Sequence, residues 1–237
     1  MPTRHLITLA LVSERYLLSL FFFYYAWRET GAIHPLLEAG PASEAAAFLP
    51  ELVKHLLVLI LNVLVGSFLL LGRAPVVPPR GWRDIVVPLA HNFFYLAWNM
   101  GGLLPEAWTR SLVPVAWRRP LAFVALYLGL VGLGLAIWAV AHLGRSFAVL
   151  VSVRQVVVNG PYRFVRHPIY LSYVLQMIGL LVAYGSPLAL VLVTGHFALT
   201  VYRARLEEVL LAAHSGEYRD YRAKTGFLLP RFRPTSR

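Results

Sequence analysis

There is no cysteine among the 237 residues. That excludes disulfides, thiolate metal sites and cysteine nucleophiles, and it leaves the compartment open. Acid is also scarce, with eleven Asp and Glu against 22 Lys and Arg. Charged residues make up only 14% of the chain, where a soluble domain carries about 25%. The composition is instead 58% hydrophobic, with a mean hydropathy of +0.63. These figures describe an all-α integral membrane protein.

Six apolar segments can be marked: Leu6–Trp27, Leu52–Leu71, Ile85–Leu104, Leu121–Ala141, Ile169–Ala183 and Pro187–Tyr202. The first four approach the roughly 20 residues a helix needs to cross a bilayer. The last two are shorter and are separated only by Tyr184-Gly185-Ser186. They read as a tight hairpin that dips into the membrane or crosses it where it is thin. No small-residue cleavage site follows the first segment, which reads as a retained helix rather than a signal peptide. Phe147–Val158 alternates weakly and is expected as an extended surface segment, not a strand in a sheet.

The net charge of +11 invites a nucleic-acid reading, but its placement argues for a membrane. With six crossings, sixteen Lys and Arg fall on one side and five on the other. This asymmetry puts both termini in the cytoplasm. The basic side then faces anionic headgroups of the lipid bilayer, and no nucleic-acid partner is implied. The character of the chain changes near residue 142. Residues 1–141 are apolar helices with few internal polar groups, among them Glu14, Arg15, Asn62, His91, Asn92 and Asn99. Adjacent residues on a helix do not face each other, so Glu14 and Arg15 each need another partner, and a structural role is expected.

From 142 to 237 charges and aromatics crowd the ends of two short helices. Gly160-Pro161 makes a turn, and Arg166-His167-Pro168 opens a helix, with proline at its favoured first position and His167 at the cap. The amides of Ile169, Tyr170 and Leu171 are then expected to lack intrahelical partners, and such a helix end binds anions. Arg163, Arg166 and His167 would stand beside it, and Tyr162 and Tyr170 offer aromatic faces to a cation. Taken alone, the same residues also fit an interfacial helix cap anchored to headgroups. No His-Glu-x-x-His or similar spacing occurs, so no metal is expected.

Arg203 and Glu207 are four residues apart, on one face of a helix, and Glu208 lies about 100° further round. On an exposed helix such a pair is an ordinary salt bridge. Here the hairpin returns the chain to the side on which it began, so the His167 cap and the Arg203–Glu207 face become neighbours. An anion site, an aromatic-lined cation site and a carboxylate would then lie together beside lipid. S-adenosylmethionine carries a carboxylate, an ammonium and a sulfonium, and so matches all three.

The pattern Gly160-x-Tyr162-x-x-x-Arg166-His167-Pro168-x-Tyr170, then Glu207-Glu208-x-x-Leu211 and Gly216-x-Tyr218-x-x-Tyr221, resembles the superfamily of isoprenylcysteine carboxyl methyltransferases and phospholipid methyltransferases. The resemblance runs from about Arg145 to Phe232. It implies an S-adenosylmethionine-dependent membrane methyltransferase, with residues 142–237 as its core and the C-terminal helix and tail completing the cofactor site. By the same resemblance, Arg154, Gln155, Val156 and Val157 lie along the cofactor. Tyr162, His167, Pro168, Ile169, Tyr170 and Glu207 hold it, and Arg203 faces the methyl acceptor. The family's aromatic before the Gly-x-x-Tyr turn is replaced here by His214-Ser215.

The acceptor is then hydrophobic or lipid-borne, with a carboxylate, amine or thiol at its head. Arg203 would orient a carboxylate, whereas an amine or thiol needs a base, for which Glu208 or a tyrosine is the nearest group. An NADPH-dependent sterol-type reductase and a non-catalytic lipid-binding or transport protein are the alternatives.

Overall fold

The computed structural model describes residues 4–39, 45–94, 97 and 103–231. Among these, regular structure is helical, and only isolated β-bridges accompany it, between Val77 and Val153 and between Val165 and Gly226. The main helices are α1 (Arg4–Ala39), α2 (Ala45–Leu70), α3 (Arg83–Asn92), α4 (Val115–Leu143), α5 (Pro168–Tyr184), α6 (Pro187–His214) and α7 (Gly216–Lys224). Four of them, α1, α2, α4 and α6, are long and apolar enough to cross a membrane. The 17-residue α5 rises only ~25 Å at 1.5 Å per residue, short of a hydrocarbon core of about 30 Å. The third expected segment, Ile85–Leu104, coincides with α3 in its first half. Its residues 95, 96 and 98–102 lie outside the described residues.

The two ends of the bundle are distinct. At one end Arg15 Nε donates to Leu70 O at 2.9 Å, Arg73 N to Arg145 O at 2.8 Å and Val151 N to Asp84 O at 3.0 Å. At the other, His55 Nδ1 meets Glu29 Oε2 at 2.6 Å and Leu112 N donates to Gly185 O at 2.9 Å. The chain therefore passes from the first end at Asp84 to the second at Leu112. The basic loops after α2 and α4 and the tail after α6 gather at the first end.

The α5–α6 turn is as tight as its sequence suggests. Gly185 caps α5 with φ +51°, a conformation that glycine adopts without cost. Ser186 Oγ then accepts from Ala189 N at 3.1 Å, and Pro187 takes the first position of α6. Close packing of α4 on α5 relies on Gly179, where a Cβ would lie 3.0 Å from Ala125 O. Small residues of this kind let membrane helices approach closely. The continuous α6 has 28 residues and is ~42 Å long, so its last turns outreach the hydrocarbon. Those turns carry Glu207 and Glu208, with Arg203 one turn before them.

Phe147–Val158 lies outside any sheet, as expected, but it bends at residues 149–151 and its first half is not a surface segment. Phe147, Val149, Leu150, Val151 and Val153 are buried. Their side chains turn inward because the backbone is held from within by Glu14, and Val149 packs with Val65, Leu69 and Val140.

Candidate functional site

His167 is the N-cap of α5, with Pro168 at its first position. Leu171 N already donates to His167 O at 3.0 Å. The expectation of three free amides is corrected to two, since only those of Ile169 and Tyr170 have no backbone acceptor among the described residues. The cap is held from outside by the tail: Arg166 N donates to Gly226 O at 2.8 Å and His167 N to Phe227 O at 3.3 Å. The His167 ring stacks on Tyr170 and meets Phe227 edge-on, with centroids 5.3 and 5.0 Å away.

On α6 the guanidinium of Arg203 is buried, with each of its three nitrogens making one hydrogen bond. Nε donates to Glu207 Oε1 at 3.3 Å, Nη1 to His91 Nδ1 at 3.2 Å and Nη2 to Val149 O at 2.7 Å, with the Tyr170 ring 5.3 Å away. Glu207 Oε1 also accepts from the Tyr170 hydroxyl. Its side chain stays a quarter exposed, and Oε2 has no partner among the described residues. Glu208 is different. It accepts from Arg166 Nε at 2.6 Å, forms an ion pair with Arg222 Nε at 3.3 Å, and lies 3.2 Å from His167 Nε2. The carboxylate expected to stand free as a base is thus saturated, because three cationic or donor groups converge on it.

The third wall is the 147–158 segment. Arg154 Nη1 donates to Phe147 O, and Nη2 donates to Glu14 Oε2 at 3.1 Å. Glu14 Oε1 accepts from Val149 N at 2.6 Å and Leu150 N at 2.8 Å. Arg15 finds its partner elsewhere, on Leu70 O. Both acquire the structural partners that the sequence demanded.

These three walls enclose a cavity of about 150 Å³. Arg154, Gln155, Val156 and Val157 line one side; Tyr162, His167, Pro168, Ile169 and Tyr170 line another; Arg203 and Glu207 face them. All the expected residues except Glu208 converge here. Arg163 also stays away, exposed and lying over the Phe164 ring at 4.4 Å. Tyr218 and Tyr221 complete the cavity from α7. That helix begins where Ser215 Oγ accepts from Tyr218 N at 3.1 Å, so the replacement of the family's aromatic by His214-Ser215 supplies a cap. Burial, reinforced by Glu207, raises the Tyr162 phenol well above its ordinary value, and burial pushes Tyr221 up to about 12. Both remain protonated donors at neutral pH, and neither is a base.

Two buried polar atoms at this cavity, Arg154 Nε and the Tyr218 hydroxyl, have no hydrogen-bond partner among the described residues. Such groups are costly unless something satisfies them. Together with Glu207 Oε2 and the Ile169 and Tyr170 amides, they fit a ligand bearing both a carboxylate and an ammonium.

A second, larger cavity of about 460 Å³ lies on the membrane side of the first. Asn92, Phe147, Val149, Ile169 and Tyr173 line both. Its other walls come mostly from apolar residues of α1, α2, α4 and the hairpin, together with Tyr25, Asn62, Gln176, His91 and His196. The sequence offered a hint of it in His91 and Asn92 within an apolar run. Glu14, far from every motif, was legible only as a carboxylate in need of a partner.

The described residues thus form an all-helical bundle with four membrane-capable helices, a polar site at one end and an apolar cavity beside it. Residues 121–217 match the family model of phospholipid methyltransferases. The match begins within α4, earlier than the motif, and stops at Glu217, before the two α7 tyrosines that line the cavity. The family is one of methyltransferases acting on lipid-type substrates. No curated protein matches the chain.

Proposed function

We propose that the protein transfers a methyl group from S-adenosylmethionine to a lipid-type acceptor at the cytoplasmic face of the membrane, as a member of the isoprenylcysteine carboxyl and phospholipid methyltransferase superfamily. One observation carries this reading: a polar cavity with unsatisfied buried donors shares a wall with an apolar cavity among the membrane helices.

In this reading Arg154, Gln155, Val156 and Val157 hold the cofactor along one side, and Tyr162, His167, Pro168, Ile169 and Tyr170 along the other. Glu207 Oε2 takes its ammonium, and the Ile169 and Tyr170 amides with Arg154 Nε take its carboxylate. Bound S-adenosylmethionine supplies an electrophilic methyl on a sulfonium, which needs no metal. The protein's part is orientation and exclusion of water, worth about 7–11 kcal/mol in favourable cases. Tyr218, Tyr221 and the Gly226–Phe227 strap cover the polar side.

Arg203 acts as a positioning residue. Its three donors tie Glu207 on the cofactor side to His91 on the acceptor side and to the Val149 backbone between them. Glu208 is a clamp that fixes the His167 cap and the tail. The acceptor reaches the larger cavity laterally from the bilayer, and both termini lie in the cytoplasm with the basic end of the bundle.

The test is transfer of labelled methyl from S-adenosylmethionine into lipid-extractable material by the protein reconstituted in vesicles. Label in the organic phase that is lost in Glu207→Ala supports the reading. A folded wild-type protein that binds the cofactor but labels no apolar compound, across thiols, amines and carboxylates, contradicts it.

A further inference from the structure

The larger cavity states which head group it can receive. Among the described residues lining it there is no Asp, Glu, Lys or Arg. Each of its amide groups is anchored to its own helix by one N–H: Asn62 Nδ2 on Val58 O at 2.8 Å, Asn92 Nδ2 on Pro88 O at 3.1 Å and Gln176 Nε2 on Ser172 O at 3.2 Å. The nearest cation, Arg203, lines the other cavity and points its donors at Glu207, His91 and Val149. A carboxylate brought into this space would lose its water and meet no cation among the described lining residues, which is unfavourable.

Two histidines remain, and their hydrogen bonds assign them different parts. Thr200 Oγ1 donates to His196 O at 2.8 Å, so its oxygen is left to accept from His91 Nε2 at 2.9 Å. His91 Nδ1 must then accept from Arg203. Both His91 nitrogens are occupied and its tautomer is fixed. The His196 ring stacks on His91, with centroids 4.5 Å apart and planes at 29°, and is flanked by Phe94 and Tyr173. One hydrogen bond ties it to the His91 backbone, and no side chain among the described residues hydrogen-bonds it, which leaves one ring nitrogen free. It is buried, lines the cavity and sits beside Tyr173, which belongs to the wall shared with the polar site.

We infer that the acceptor is an apolar molecule with an un-ionised X–H head, and that His196 is the catalytic residue that takes its proton. The inference rests on the methyltransferase reading of the adjoining site. As the acceptor's X atom bonds to the methyl carbon, the carbon–sulfur bond breaks and its electron pair stays on sulfur as a neutral thioether. The X–H proton passes to the free ring nitrogen of His196, and from there to water. His91, held by Arg203 and Thr200, supports the ring from behind. This replaces the expected roles of Arg203 as a carboxylate ligand and of Glu208 as the base.

The probes are 1-octanethiol and octanoate, matched in chain length but un-ionised and ionised respectively at neutral pH. Binding of each is measured first to cofactor-free wild-type protein in detergent. Octanethiol is expected to bind more than about tenfold tighter, because an unpaired buried anion is penalised. With cofactor present, octanethiol is expected to be methylated and octanoate not. In His196→Gln, octanethiol binding is expected to survive while kcat falls by about 100-fold, the ordinary worth of a positioned base. In His196→Ala, added imidazole restores turnover if the ring's proton transfer is what was lost.

Tighter binding or faster methylation of octanoate by protein that binds S-adenosylmethionine overturns the inference and leaves the methyltransferase reading standing. Undiminished kcat in His196→Gln does the same. Failure of folded wild-type protein to bind S-adenosylmethionine at all overturns both.

Discussion

Glu14 and Arg154 stand 140 positions apart in the chain, and their side chains meet at 3.1 Å. The same carboxylate accepts the backbone N–H groups of Val149 and Leu150. A residue of the first membrane helix therefore shapes the wall on which the cofactor is proposed to lie. Removing one partner of a buried pair costs about 3–5 kcal/mol, because the other charge is stranded. Glu14→Ala is expected to lower the thermal midpoint in detergent and to weaken S-adenosylmethionine binding together. An unchanged midpoint would show that the clamp is dispensable.

Arg203→Lys keeps the charge and loses the fork. A lysine cannot reach Glu207, His91 and Val149 O at once. The variant is expected to remain folded yet lose most of its methyl transfer, with cofactor affinity reduced through the freed Glu207. Full activity in Arg203→Lys would mean that charge, not geometry, is what the site uses.

Glu207 and Glu208 are neighbours with separate tasks. Glu207→Gln is expected to act mainly on cofactor affinity. Glu208→Gln releases Arg166, His167 and Arg222, and so is expected to loosen the tail. Limited proteolysis after Lys224 reads the second effect and equilibrium binding reads the first. The assignment is reversed if Glu208→Gln is the variant that abolishes binding while its tail stays protected.

The tail also carries a pH signature. The Tyr221 hydroxyl donates to Tyr162 O at 2.6 Å, and its pKa is raised by burial to about 12. A phenol raised above the unfolded value of about 10 stabilises the folded state fully below that pH and loses its effect as pH climbs towards 12. Thermal midpoints are expected to fall across this window in the wild type and to fall less in Tyr221→Phe. Parallel curves would detach the tail's docking from this hydroxyl.

Much of the site was legible because its parts are local. A proline after His167 fixes a helix start, and a spacing of four puts Arg203 and Glu207 on one face. The tight Tyr184-Gly185-Ser186 turn then brings the two together. What stayed hidden depends on contacts between distant segments. Glu208 looked free because Arg166, His167 and Arg222 reach it only in the folded chain. Phe147–Val158 looked exposed because its burial follows from Glu14, more than a hundred residues earlier. The Arg203–His91–Thr200 chain, and with it the freedom of His196, joins α3 to α6 and leaves no periodic trace.

The central claim is that the polar site around His167 and Glu207 holds S-adenosylmethionine, and equilibrium binding of the labelled cofactor to the purified protein tests it most directly. Saturable binding by the wild type that is lost in both Glu207→Ala and His167→Ala is the predicted result. A folded wild-type protein that binds none of it would contradict the account, most plainly if NADPH bound in its place.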